Sequence, residues 1–543
     1  MVFARRSTTL LAAIIASCAM VLSLTACTSD NKTVVDGQTT VTSNSAGGVA
    51  VFTPSDGITL NQQTPLNKWA KLVPDLAKAL ADAGFKKGDI DHTTSDSLAK
   101  QSRAIQDFVV DHLSNNTTDD SGIAIAPDNM TLLVAPVVEA DASTRQYGDY
   151  ISQNLSTNDA TDGEATSDGE SSEDDSSKDD SSNTESDSTA SDEQAQAVDR
   201  LVSSLKLAKE SGMHVVLLGN SIEGYKPDAF VKFSDAQTIG KLQAEKMVSK
   251  LKLDKASKDN PKYIEVLLPY TAVDEKGNAN DSTFVQEAFR GIWQVLGSYY
   301  QKGVVESPSG TLDGKSTEND WQAVAYDAAK EGSTAKVLDK RLAKTDGQST
   351  LTRIDGIITM NDYIASEVVK ELDDLGYTGS AADINPQITI SGIVGNITGK
   401  KDLSRDAVPD PIKSPENDNA NDSSSSDDDA DEDTSASDKD RDSQWPLVTG
   451  YGAYVSNIPS IVNGKQWMTG MEDRQTIATD IAQACAKLNK DEALNSMPSI
   501  RNSEVGGVKK IPTISEPLLA VSASNLKSAL IDPGYISLAD AGL

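Results

Sequence analysis

The stretch Ile354-Asp355-Gly356-Ile357-Ile358-Thr359-Met360-Asn361-Asp362 sets a short apolar run directly before a polar pair, and a helical pattern follows over Tyr363–Leu375. An unbroken apolar run reads as a strand buried on both faces. Apolar residues three and four apart read as a helix with one buried side. The same unit recurs along the chain. Strands are expected at Val49–Thr53, Ile90–Thr93, Thr131–Pro136, His214–Leu218, Phe230–Phe233, Tyr263–Leu268, Ile354–Thr359, Ile388–Ser391 and Leu447–Gly450. Helices are expected at Lys68–Ala83, Leu98–Leu113, Ala195–Ser211, Ala236–Leu251, Thr283–Tyr300, Tyr363–Leu375 and Arg474–Leu488. This alternation predicts an α/β chain of parallel sheets wrapped on both faces, the doubly wound arrangement. About ten such units suit two sheets better than one.

The N-terminus reads as an export signal. Arg5 and Arg6 precede an apolar core from Leu10 to Leu24, and small residues follow in Leu24-Thr25-Ala26-Cys27. Basic front, apolar middle and small residues before the cut mark a secretory signal peptide. A Cys at that point makes the segment resemble a bacterial lipoprotein signal. The resemblance implies diacylglyceryl transfer to the Cys27 thiol and removal of residues 1–26. The apolar core is short for a membrane span, and no other stretch approaches the ~18 residues needed. The mature chain is therefore expected outside the cell, held to the membrane by lipid. Residues 27–48, rich in Ser, Thr, Asn and Gly, are expected to form a flexible tether.

The formal charge of −33 is concentrated in two places. Ser156–Gln194 holds 14 acids and one Lys, and Asp402–Ser443 holds 15 acids and four bases. Such tracts bury too little apolar surface to offset their ordering entropy, so both are expected to be disordered inserts in surface connections. The body between them is only mildly acidic. The charge excludes nucleic acid as a partner, because phosphate binding needs clustered Lys and Arg.

No catalytic pattern stands out. The three His are at 92, 112 and 214, and the chain shows no nucleophile elbow, Walker loop, dinucleotide glycine loop or His/Cys metal spacing. Asp427–Asp433 lacks the glycine and ligand spacing of a calcium loop. Of the three Cys, Cys18 lies in the signal and Cys485 in an apolar helical pattern, so no disulfide pair remains. No enzyme activity, cofactor or metal is expected.

Several segments resemble the substrate-binding proteins of bacterial ABC sugar importers, in the xylose-binding-like branch of the type I periplasmic-binding fold. The fullest is VTGYGAYVSNIPSIVNGKQWMT, Val448 to Thr469, followed by Gly470-Met471-Glu472-Asp473 and Thr476-Ile477-Ala478. The others are Val231-Lys232-Phe233 with Gly240-Lys241-Leu242-Gln243-Ala244, the quoted strand ending in Asn361-Asp362, Asn67-Lys68-Trp69, Leu132–Pro136 and Phe289-Arg290-Gly291. The resemblance implies two doubly wound, Rossmann-like lobes with a hinged cleft. It would place the first lobe at 49–220 plus 467–489, and the second at 221–466 plus 490–543.

Ligands in open α/β sheets bind beyond the carboxyl ends of strands. Asn361 and Asp362 stand there, with donors and acceptors suited to vicinal hydroxyls. Asp362 could equally cap the helix at Tyr363. Trp69 could stack on a sugar face or pack in the core. By the resemblance, Lys68 replaces a sugar-contacting Arg, keeping charge without the planar fork. The family's cleft Asp gives way to Gly450-Tyr451-Gly452, its Lys to Glu472, and its Asp-Arg at the lobe crossing to Gly219-Asn220, with Asn280 and Asp281 nearest to a further contact. Ligand-binding candidates are thus Lys68, Trp69, Asn220, Asp281, Asn361, Asp362, Tyr451 and Glu472. Tyr451, Glu472 and Asp362 together suggest an acidic cleft for an amino sugar, a larger glycan or another polar solute.

The expected function is an extracytoplasmic lipoprotein that captures a carbohydrate or related polar solute and delivers it to an ABC permease. Alternatives of the same fold are a ligand sensor for a membrane kinase and an envelope protein with a degenerate cleft. The long tether and lack of disulfides suggest a Gram-positive surface.

Overall fold

The computed structural model describes residues 32–35, 38–41, 46–55, 65–115, 125–138, 144–157, 184–273, 280–328, 330–343, 351–381 and 445–543. Cys27, the expected strand Ile388–Ser391 and the whole second acidic tract lie outside the described residues. The chain forms two units, Met1–Ser45 and Ala46–Leu543. In the first, Lys32–Val35 pairs antiparallel with Gln38–Val41, Lys32 opposite Val41. β-branched Thr33, Val34, Val35, Thr39, Thr40 and Val41 favour extended backbone within the expected tether.

The second unit contains a seven-stranded sheet, in the order Ile500–Val505, Val508–Ser515, Ala229–Lys232, His214–Leu218, Met130–Val134, Gly48–Pro54, Ile90–Ser95. Its pairs are parallel except for the hairpin of the first two. The inner strands, such as Met130–Val134 and His214–Leu218, are apolar on both sides because both sides are covered. Val49 and Val51 pack with Leu72, Leu76, Ile477 and Ile481 of the helices Trp69–Asp82 and Arg474–Leu488. Ala50 and Phe52, pointing the other way, pack with Ile105, Val109, Leu201 and Leu205 of Leu98–Asn115 and Thr184–Glu210. The period of two along each strand thus sorts one run of residues into two cores.

A second, fully parallel sheet runs Val305–Glu306, Lys262–Val266, Gly356–Ile358, Leu447–Val448. Its core takes in Ala236–Leu251, Thr283–Gln301 and Asp362–Asp374. The first two helices cross in close contact at glycines: a Cβ on Gly240 would fall on the Ala288 carbonyl oxygen, and one on Gly291 on that of Gln237. The α/β class with two parallel-dominated sheets is as the alternation predicts.

Two boundaries are corrected. Ala229–Lys232 and Ile500–Ser515, expected in the second lobe, belong to the first sheet, with Thr513 opposite Phe230. The reason is the exposed edge of Ala229–Lys232, which the hairpin covers; its turn uses Gly506 and Gly507 at φ 54 and 77. Leu519–Ser522 then pairs antiparallel with Met468–Met471, Thr469 opposite Val521. The helix expected from Ala195 starts at Thr184, so residues 184–194 of the first acidic tract are helical. Acids in a first helical turn are favoured by the helix dipole.

Candidate functional site

The strand ends of the two sheets converge on shared side chains. Ser234 follows Ala229–Lys232 of the first sheet, and Asn361, Asp362 and Tyr451 follow Gly356–Ile358 and Leu447–Val448 of the second. Glu472 follows Met468–Met471, which connects them. Glu472 accepts the Ser234 backbone N–H at 2.7 Å and is also hydrogen bonded to the Ser234 hydroxyl. Tyr451 Oη stands 2.6 Å from Ser234 Oγ and 3.4 Å from Glu472 Oε1. All three residues are buried. Burial pushes the Glu472 carboxyl up to about 7, against the Ser234 and Tyr451 hydrogen bonds, and drives the Tyr451 phenol well above its ordinary value.

Asn361 and Asp362 sit behind Met360, a buried non-glycine residue at φ +68 whose carbonyl accepts Gln243 Nε2 at 3.0 Å. That left-handed backbone, uncommon for a non-glycine residue, ends the strand abruptly and turns the chain into the helix. The cap is Asn361, whose Oδ1 accepts the Ile364 N–H at 2.9 Å, and not Asp362, which is the first helical residue. Asp362 is fully buried within the second lobe: its carboxylate accepts Gln466 Nε2 at 2.7 Å, Thr469 Oγ1 at 2.9 Å and the Tyr454 N–H at 2.9 Å. Burial raises its pKa to about 6, with those hydrogen bonds opposing. Gly450 makes room, since a Cβ there would strike Asp362 Oδ1.

Lys68, Trp69 and Asn361 meet a loop at Gln146–Tyr150. Lys68 Nζ donates to Asp149 Oδ1 at 2.8 Å, and the Trp69 N–H donates to Asp149 Oδ2 at 3.1 Å. Trp69 is buried, edge-on to Tyr150 and Phe233 at 5.1 and 5.7 Å between centroids. Asn361 Nδ2 donates to Gln146 Oε1 at 3.1 Å. Asn220 stands apart and is structural: its side chain donates to the Pro136 carbonyl at 2.9 Å and accepts the Gln153 N–H at 2.9 Å. Asp281 is exposed and closes a turn onto Thr283. The side chains expected together in one cleft thus fall into two sets, Glu472 with Tyr451 in one and Asp362 in the other, linked only where the Asp362 N–H donates to the Tyr451 carbonyl at 3.0 Å.

Sequence reasoning missed Ser234, Gln146, Tyr147, Asp149 and Gln466. Ser234 lay one step past the quoted Val231-Lys232-Phe233, and Gln466 inside the long quoted segment. The loop residues carry no periodic signal. Among the described residues, no cluster of His, Cys, Asp or Glu could hold a metal ion, and no helix is long and apolar enough to cross a membrane.

No protein-family model matches the chain, and no curated protein sequence matches it. Solved structures do. One is an ABC transporter solute binding protein from Clostridium phytofermentans with bound β-D-glucose: identity 17%, TM-score 0.44, with 91% of this chain and 99% of that chain covered. A carbohydrate transporter solute binding protein from Chloroflexus aurantiacus, in complex with D-glucose, has identity 17% and TM-score 0.43, covering 91% and 98%. An arabinose binding protein from Geobacillus stearothermophilus has identity 10% and TM-score 0.41, covering 89% and 99%. Identities this low and superpositions this loose identify no function by themselves.

Proposed function

We propose that the chain is an extracytoplasmic solute-binding lipoprotein that captures a neutral carbohydrate or similar polyol between its two parallel sheets and presents it to an ABC importer. One observation carries this reading: Ser234, after a strand of the first sheet, meets Tyr451, after a strand of the second, while Trp69 at the head of the helix Trp69–Asp82 and Asn361 after Gly356–Ile358 flank the loop at Gln146–Tyr150. Hydroxyls, amides and carboxylates beside ring faces match a polyol, whose hydroxyls need donors and acceptors and whose C–H face needs an aromatic surface. Lys68 is already paired with Asp149 at 2.8 Å, which disfavours an anionic sugar. The Arg5-to-Cys27 pattern supports export and lipid anchoring, with Cys27 as the acylated residue on the outer face of the membrane, a Gram-positive surface by the tether argument. No chemical step is assigned to the protein, which acts by closing on its ligand.

The test is a thermal-shift and calorimetric titration of the mature chain against neutral pentoses and hexoses. A ligand at 100-fold its Kd stabilises by about 2.7 kcal/mol. A second reading, an envelope protein of the same architecture that binds no solute, is favoured by the number of site groups already bonded within the chain. Absence of any shift selects it.

A further inference from the structure

The loop Gln146–Tyr150 touches four of the residues singled out as ligand contacts, and it does so from between the sheets. On the second-sheet side, Gln146 Oε1 accepts from Asn361 Nδ2 at 3.1 Å and the Gln146 carbonyl accepts from Tyr454 Oη at 2.6 Å. The Tyr147 ring lies 4.7 Å from Phe284 and 6.3 Å from Tyr451 between centroids, is 2% exposed, and belongs to the second sheet's core. On the first-sheet side, Asp149 holds Lys68 and the Trp69 N–H, its own N–H donates to the Asn67 carbonyl at 2.8 Å, and Tyr150 Oη donates to the Lys68 carbonyl at 2.6 Å. Tyr150 stacks on Phe233 at 4.7 Å. Between the two halves stands Gly148 at φ +96, where a Cβ would meet the Asn67 carbonyl oxygen at 2.5 Å. The loop thus needs glycine at its centre to reach both sides at once.

A loop making an amide bond, a carbonyl bond, a charge pair and ring contacts to both sheets does for the chain what a bound polyol does. We propose that Gln146–Tyr150 is a tethered internal occupant: it holds the two sheets together without ligand, and a sugar must displace it to bind. This rests on the proposed carbohydrate site for its ligand, but not for its first readout. Tyr147 carries the second-sheet half of the bridge, and Gly148 sets the bend that seats it. The occupant taxes affinity by the fraction of molecules in which it is seated.

The experiment uses the complete mature chain with Cys27→Ser, spin-labelled at Asp107→Cys and Asp339→Cys, exposed positions on helices of the two lobes. Pulsed EPR distances are measured in this parent, in Gly148→Val and in Gln146→Ala/Tyr147→Ala, without ligand and with saturating D-glucose, D-xylose, D-ribose or L-arabinose; circular dichroism verifies folding of each. The parent is expected to give one short distance. Both variants are expected to populate a longer one, to return to the short distance with a bound sugar, and to bind it at least tenfold tighter than the parent. Variants that open but bind none of the sugars support the occupant and remove the carbohydrate reading. Folded variants that keep the parent's distance, or a parent that binds sugar as tightly as they do, overturn the occupant whatever becomes of the carbohydrate reading.

Discussion

Tyr451 Oη stands 2.6 Å from Ser234 Oγ, so the carboxyl ends of two separate parallel sheets meet in one buried hydrogen bond, with Glu472 held against both. A pair of sheets joined this way has its polar surface where strands end and its apolar surface behind. The opposing strand ends are therefore the place where a small polar molecule can be recognised or, as here, where a loop of the chain can be.

Glu472 makes stability depend on pH. Its carboxyl titrates near 4.5 when unfolded and at about 7 in the folded chain, and Asp362 moves the same way, from 3.8 to about 6. The folded state therefore holds protons that the unfolded state releases. Their contribution is complete below pH ~4 and is lost as pH rises through 6 and 7. Urea denaturation is expected to show these groups costing about 2–3 kcal/mol each at pH 8 relative to pH 4. Glu472→Gln, neutral at every pH, is expected to remove its share; an unchanged pH slope in that variant contradicts the assignment.

Asp362 is a structural acceptor in this arrangement. Asp362→Ala leaves Gln466 Nε2, Thr469 Oγ1 and the Tyr454 N–H without their partner, three buried donors at once. The expected loss is about 3–5 kcal/mol of folding free energy, read by chemical denaturation. A loss below about 1 kcal/mol, accompanied by a changed ligand affinity, would return Asp362 to the ligand contacts.

Asp149 caps a helix it does not belong to. Trp69–Asp82 has no side-chain cap of its own from Lys68, and Asp149 accepts the Trp69 N–H at 3.1 Å from the loop. Asp149→Ala is expected to cost about 1–2 kcal/mol, the ordinary value of a lost cap, while Asp149→Asn retains most of it. Equal losses in the two variants would assign the effect to the Lys68 ion pair instead.

The crossing of Ala236–Leu251 and Thr283–Gln301 tolerates no side chain at Gly291. Gly291→Val drives a branched carbon into the Gln237 carbonyl and is expected to cost about 3 kcal/mol or more, measured as a fall in the urea midpoint.

The inner strands of both sheets were legible because burial on both faces writes them as short unbroken apolar runs, as in Val49–Thr53 and His214–Leu218, whereas the edge strand Val305–Glu306 was not. The C-terminal hairpin was not, because Ile500–Val505 alternates with exposed Arg501, Asn502 and Glu504 at a sheet edge, and that pattern says nothing about which edge it joins. Of the candidate site, Tyr451 and Glu472 were singled out only through the resemblance, as departures from the pattern it implies. Of the pair after the strand, Asn361 and not Asp362 is the helix cap, since a polar pair after a strand does not say which member faces inward. The loop at Gln146–Tyr150 escaped notice entirely: its contacts are set by residues 80 to 308 positions away, and no local spacing encodes them.

The most direct measurement is an isothermal titration of the folded Gly148→Val chain, in which the loop is unseated, with D-glucose, D-xylose, D-ribose and L-arabinose. The account predicts saturable one-to-one binding of at least one of these sugars, weakened tenfold or more when Asn361→Ala is added. No saturable heat with any of the four, from a chain whose circular dichroism matches the parent, would contradict it.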